Sequence, residues 1–250
     1  MTKRDWERLA STFESEVFDI VSTDAKQVIG RVLREICRHR SDLVAVDLGC
    51  GIGTFAKRFS PRFQRVYGVD YSPRMLNRAR SNCTAPNVTF LEGNLANGAA
   101  RSVPRGDITV LFNVLTSPVA AVRSNILDTV WKVTKASGTA LVLVPSSESA
   151  AHVFRYALPE DREQHYPCDG LYSRGGVVQK HFSRSEIAAA TERAGFRCPR
   201  ILRVPYPVGE EFVGRPCYAL RRSPPWDWLA ICTKSVRRAV VADSVKSIKS

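Results

Sequence analysis

The stretch V-A-V-D-L-G-C-G-I-G, residues 44 to 53, decides the fold. Leu43 to Leu48 is a short, largely apolar and β-branched run ending in Asp47 and Leu48, the composition of a strand buried on both faces. Gly49, Gly51 and Gly53 follow at alternate positions, so the strand runs into a tight turn and a helix should open near Gly53. Glycines at such a junction let the backbone turn sharply and approach a ligand, and the helix behind them offers unpaired N–H groups. That combination implies a nucleotide-type ligand. Residues 51 to 56 also fit the looser G-x-G-x-x-A form of a dinucleotide fingerprint, so the glycines alone leave a nicotinamide cofactor open. Asp47 argues against it, because a carboxylate ahead of the glycines repels a pyrophosphate and favours a cation such as an ammonium or a sulfonium.

Outward from this stretch, strand and helix periods alternate, as in an α/β sheet. Upstream, residues 24 to 40 place Val28, Ile29, Val32, Leu33, Ile36 and Cys37 on one helical face, with Asp24 positioned to cap the first turn. Downstream, Arg65 to Val69 reads as a second strand ending at Asp70, where an acid can accept both hydroxyls of an adenosine ribose. Ser72 and Pro73 then start a helix through Arg80. Strands follow at Val88 to Leu91 and Ile108 to Asn113, and a helix begins at Ser117 and Pro118. Gly138 introduces a fifth strand, Thr139 to Val144. Ser183 with Glu186 forms a capping box for a helix ending at Gly195, and two further strands are expected at Ile201 to Tyr206 and Trp228 to Thr233. About seven strands and six helices result.

Five segments together resemble the class I S-adenosylmethionine-dependent methyltransferases: residues 44 to 53, V-Y-G-V-D-Y-S-P-R-M-L (66 to 76), V-T-F-L-E-G-N-L (88 to 95), D-I-T-V-L-F-N-V-L (107 to 115) and R-A-G-F (193 to 196). The resemblance implies a Rossmann-like sheet of seven strands, the last antiparallel, with helices on both faces, and S-adenosylmethionine as cofactor. On it, Gly49, Gly51 and Gly53 would line the methionine portion, with Cys50 among them also counted as cofactor-binding, Asp47 would organise the ammonium contact and Asp70 would bind the ribose. Tyr71 and Met75 would pack near the adenine, Asn94 and Leu95 would contact its edge, and Asn113 would lie near the methyl-transfer face. Two departures matter. Asn94 stands where family members often carry Asp, and Phe112-Asn113-Val114-Leu115 replaces the Asn/Asp-Pro-Pro-aromatic signature of base and glutamine methylation.

Methyl transfer needs a nucleophile in line with the sulfonium and desolvated, and an oxygen acceptor also benefits from a base. Residues 146 to 182 break the rhythm of the sheet and hold His152, His165 and His181 with Tyr156, Tyr166 and Tyr172. This fold commonly builds its acceptor pocket there, so the catalytic candidates are His165, Tyr166 and Tyr172, with Glu210 after the sixth strand. The plainer alternative for each histidine is a solvated loop position. Residues 1 to 23 carry Trp6, Phe13 and Phe18, which fit either a flap over the cofactor or a helix packed on the sheet.

The 250 residues are 44% hydrophobic and 24% charged, so the expectation is one methyltransferase domain over 1–234, with 1–23 as a flap and 146–182 as an acceptor-pocket insertion. Residues 235–250 would be a basic tail. With neither a secretory signal nor a long apolar run, the protein is expected to be cytoplasmic, with no membrane partner. The seven cysteines are scattered without a C-x-x-C pair, so no metal is expected. Net charge is +13, concentrated in residues 57 to 80, with seven Lys and Arg against one acid, and in residues 221 to 250, with seven against two. That excess keeps an RNA or protein methyltransferase in view beside the small-molecule enzyme. A non-catalytic S-adenosylmethionine-binding protein and a nicotinamide oxidoreductase are the remaining alternatives.

Overall fold

The computed structural model describes residues 3–13, 19–97, 102–156, 169–174, 177–207 and 218–234. Among them are nine strands: β1 (Val44–Leu48), β2 (Arg65–Asp70), β3 (Val88–Glu92), β4 (Gly106–Phe112), β5 (Thr134–Pro145), β6 (Leu171–Arg174), β7 (Val177–Lys180), β8 (Phe196–Pro205) and β9 (Trp226–Lys234). Seven form one sheet in the order β3-β2-β1-β4-β5-β9-β8, and β6 with β7 forms a separate hairpin. β1 to β5 run parallel, with Asp47 level with Gly68 on one side and Val110 on the other. β9 runs antiparallel to both β5 and β8, so the seven-stranded sheet with its last strand reversed is as expected. The hairpin brings the strand count above the expected seven, because four-residue strands are too short to display a period.

The helices are α1 (Lys3–Leu9), α2 (Ile20–Thr23), α3 (Val28–Ile36), α4 (Thr54–Phe59), α5 (Pro73–Asn82), α6 (Ala120–Val133), α7 (Ser147–Phe154), α8 (Arg184–Arg193) and α9 (Tyr218–Arg222). On one face of the sheet, Val28, Ile29, Val32 and Leu33 of α3 pack with Phe55, Ala56 and Phe59 of α4 against Ala45, Ile108 and Leu141. On the other, Ile126, Val130 and Val133 of α6 and Ile187 of α8 cover Val46, Leu111 and Val142. Strands covered on both faces are near-continuous apolar runs, which is how 44 to 48 reads apart from Asp47.

Local signals set the helix starts. The Ser72 hydroxyl accepts the Met75 N–H at 3.3 Å, and Ser183 with Glu186 closes the capping box in both directions. Asp24 reaches the first turn of α3 from three residues ahead of its N-cap Gln27, accepting the Ile29 N–H at 2.8 Å. β5 departs from expectation: it begins at Thr134 and passes through Gly138, with a register break against β4. Gly138 serves close approach there, since a Cβ would lie 2.9 Å from the Lys135 carbonyl oxygen and 3.0 Å from that of Asp107.

Candidate functional site

A cavity of about 350 Å³ opens at the carboxyl ends of β1, β2 and β4, where the strand order reverses between β1 and β4. Parallel sheets place ligands at this switch point, because the loops there diverge and leave a crevice. Its floor is the glycine loop. Gly49 and Gly51 hold φ of +77° and +52°, in the left-handed region. The Gly49 and Cys50 N–H groups both donate to the Val69 carbonyl, at 2.7 and 3.0 Å, tying the loop to the end of β2. A Cβ on Gly49 would lie 2.3 Å from Val114, so the loop also fixes the exit of β4.

Asp70 accepts the Gly51 N–H at 3.0 Å with one carboxylate oxygen and the Ser72 N–H at 2.9 Å with the other. Burial nonetheless leaves its pKa raised, against the pull of these amides. Asp47 is 3% exposed and makes no hydrogen bond with any described residue. Burial, with repulsion from Asp70 and Asp19, pushes its carboxyl up to about 8. Asp19 lines the same cavity while capping α2 through the Val21 N–H at 3.0 Å. Two further acids around a buried, unpaired carboxylate leave a deficit of positive charge, which the sulfonium and ammonium of S-adenosylmethionine would fill.

Of the eleven residues expected to bind cofactor, Asp47, Gly49, Cys50, Gly51, Asp70, Tyr71, Met75, Asn94, Leu95 and Asn113 line this cavity. Gly53 stands behind it, where a Cβ would come within 3.1 Å of Ala79 and Phe90, so its smallness seats α4 against α5 and β3. The Asn94 side-chain oxygen already accepts the Ala96 N–H at 3.0 Å. Phe13 lies over Gly51, 3.6 Å from where a Cβ would stand, and Trp6 also lines the cavity. Around them Ala10, Ile52 and Met75 are buried together, and Arg78 donates to the Ala10 carbonyl at 2.6 Å. Phe18 lies outside the described residues.

The opposite wall consists of Phe112, Val114, Thr116 and Ser117, of Val122 and Ile126 on α6, and of Val178 and Gln179 on β7. The sequence reading missed Asp19, Thr116, Ser117, Val178 and Gln179 as site residues; of these Asp19 carries a local signal as a helix N-cap, and Ser117 reads as a helix start although α6 begins at Ala120. Lys180, 5% exposed, anchors the hairpin by donating to the Asp169 carbonyl and to Glu186, both at 2.6 Å. Its own N–H donates to the Thr116 carbonyl at 2.8 Å, joining β7 to the loop after β4.

The catalytic candidates are placed differently. Tyr172 is buried outside the cavity lining, stacked on His181 at 4.1 Å and on Phe154 at 5.9 Å. His165, Tyr166 and Glu210 lie outside the described residues, as does the tail 235–250. Burial pushes the His181 imidazole down to about 4, keeping it neutral. His152 is engaged with the Ser223 carbonyl at 2.9 Å. No helix among the described residues is long and apolar enough to cross a membrane.

Comparison with known proteins matches residues 45–138 to a methyltransferase domain model. A curated relative described as "probable cobalt-precorrin-6B C(15)-methyltransferase (decarboxylating)", from Methanothermobacter thermautotrophicus, is 36% identical over 72 residues, 27% of this chain and 37% of the relative. The match thus spans just over a third of that protein. Among solved structures, the DhpI complex with S-adenosylhomocysteine aligns with a TM-score of 0.63 at 17% identity, over 94% of this chain and 96% of that one. The N-methyltransferase NodS from Bradyrhizobium japonicum, also with S-adenosylhomocysteine, gives 0.61 at 12% identity over 93% and 97%. The methyltransferase solved with the Haloferax volcanii Trm112 methyltransferase activator gives 0.61 at 16% over 92% and 98%. At these identities the structural likeness is one of fold. The methyltransferase domain model itself matches residues 45–138, less than half of the 250-residue chain.

Proposed function

We propose that the protein transfers the methyl group of S-adenosylmethionine to an oxygen or nitrogen of a small-molecule acceptor. One observation carries this reading: on a chain of net charge +13, the described lining of the cavity holds three carboxylates and no Lys, Arg or His. Such a lining opposes phosphate-rich ligands, whether a dinucleotide or a nucleic-acid backbone, and favours a sulfonium with its ammonium. When bound, S-adenosylmethionine supplies an electrophilic methyl on a positively charged sulfur and leaves as S-adenosylhomocysteine.

The chain's own residues do the rest. Asp47 opposes the cationic end, the loop at Gly49 to Gly51 lies along the methionine portion, and Asp70, held by two amides, keeps lone pairs for the ribose hydroxyls. Tyr71, Met75 and Leu95 cover the base, with Asn94 at its edge. Trp6 and Phe13 exclude water, and the wall from Phe112 to Gln179 holds the acceptor at attack distance. An amine acceptor needs little more than this; for an oxygen acceptor, His165, Tyr166 and Glu210 are the candidate bases.

The net charge favours a second reading, an RNA or protein methyltransferase. Against it, several arginines are spent on the chain's own carbonyls: Arg58 on Val21, Arg78 on Ala10, and Arg123 on Ser117 and Pro118. Isothermal titration with S-adenosylhomocysteine beside NADH, followed by a methyl-transfer screen that includes RNA, tests both. Binding of the first ligand alone and methylation of a small molecule is expected. NADH binding, or incorporation confined to RNA, would replace the reading.

A further inference from the structure

We propose that Asp227 is a positioning residue: it holds the side-chain amide of Asn113 so that the carbonyl, rather than the N–H, serves the cationic end of the bound cofactor. The inference rests on the cofactor reading given above. Asn113 is the first residue past β4; its backbone has φ +55°, unusual for a residue with a side chain, and its main-chain N–H is fixed by the Leu143 carbonyl at 2.9 Å. It lines the cavity. Its amide nitrogen donates to an Asp227 carboxylate oxygen at 3.0 Å, while its own Oδ1 is buried with no hydrogen-bond partner among the described residues. An orphaned acceptor on a residue that lines a ligand cavity is the acceptor a ligand N–H would satisfy.

Asp227 itself is 3% exposed and sits on β9 between Pro145 of β5 and Val204 of β8. Its carboxylate receives Asn113 and the Ser146 amide, and no salt bridge to a described residue accompanies them. Burial pushes it up to about 7, so the ionised group is costly here. An amide side chain offers a donor and an acceptor of nearly equal shape, and a carboxylate behind it, able only to accept, selects one of the two orientations. A cost of this kind beside the cavity is explained when the selected orientation is the one the cofactor uses.

The test is a double-mutant cycle on the full chain at pH 8, read by titration with S-adenosylhomocysteine. Asp227→Leu, a similar-sized apolar replacement, is expected to keep the thermal midpoint while weakening binding about tenfold, and Asn113→Ala to do about the same. The double variant should be no weaker than either single within about twofold, because Asp227 acts through Asn113. Asp227→Asn, whose carbonyl accepts the same N–H, should recover most of the affinity. 5′-Methylthioadenosine, which lacks the ammonium, should bind all four variants like the wild type. Effects that multiply in the double variant, or an Asp227→Leu protein that binds like the wild type, would overturn the proposal. Asp227→Val supplies the same comparison if leucine prevents folding. A folded wild type that binds no S-adenosylhomocysteine would sink the cofactor reading itself, a distinct outcome because no variant would then differ from it.

Discussion

The two sides of the cavity are made of different material. The floor at β1 and β2 is main chain: left-handed glycines whose neighbouring amides are gathered by the Val69 carbonyl and the Asp70 carboxylate. The wall at α6 and β7 is side chain: Val122, Ile126, Val178 and Gln179, with β7 held in place by Lys180. Shape made by the backbone cannot be altered without moving strands, whereas shape made by side chains changes with a single substitution. The first suits a ligand common to many proteins and the second a ligand particular to one.

The largest effect should come from breaking the floor. Gly49→Ala places a methyl 2.3 Å from Val114 at φ +77°, so we expect a loss of about 2–4 kcal/mol of stability and no measurable S-adenosylhomocysteine binding. A wild-type thermal midpoint would mean that the loop is less constrained than its contacts imply. Next, Asp70→Ala should weaken S-adenosylhomocysteine by about 1–3 kcal/mol, roughly five- to more than a hundredfold by calorimetry. An unchanged affinity would remove the ribose from the end of β2.

A smaller, signed effect belongs to Asp47. Its carboxyl is raised from an ordinary 3.8 to about 8 by burial and neighbouring acids, so its contribution to stability is full below pH 4 and is lost as pH climbs through 8. Asp47→Asn removes that loss. Scanning fluorimetry without ligand should show the variant melting above the wild type at pH 8.5, by about 2–4 °C for each kcal/mol recovered, with the gap closing towards pH 4. The same variant should bind S-adenosylmethionine more weakly. A wild type that melts higher at pH 8.5 would refute the charge deficit. The smallest effect on cofactor binding should come from the wall: Gln179→Ala is expected to leave S-adenosylhomocysteine affinity within about twofold while changing which acceptors are methylated. A large loss of cofactor affinity there would mean that the two sides are not separate.

The floor could be read from the sequence because backbone geometry demands particular residues: glycines at positive φ, an acid at the end of a strand, serines that cap helices. The wall could not. Val178 and Gln179 belong to a four-residue strand whose place is fixed by Lys180 reaching Asp169 and Glu186, contacts no local period announces. Asp227 was hidden for a related reason, since an acid between two tryptophans reads simply as strand, and its partner Asn113 lies 114 residues earlier. Tyr172 drew attention by its aromatic hydroxyl and its place in the right segment, yet packing against His181 and Phe154 takes it out of the cavity lining. Gly138 misled because a glycine after a helix resembles a stop, whereas here it lets two strands approach.

The position of β9 between β5 and β8 bears on how the molecule is made. A ribosome delivers β8 before β9, so the edge strand emerges with no neighbour to join until the strand that separates it from β5 has followed. For that interval β5 and β8 both present open hydrogen-bonding edges, and the sheet is closed by the later strand inserting between them rather than extended outward one strand at a time.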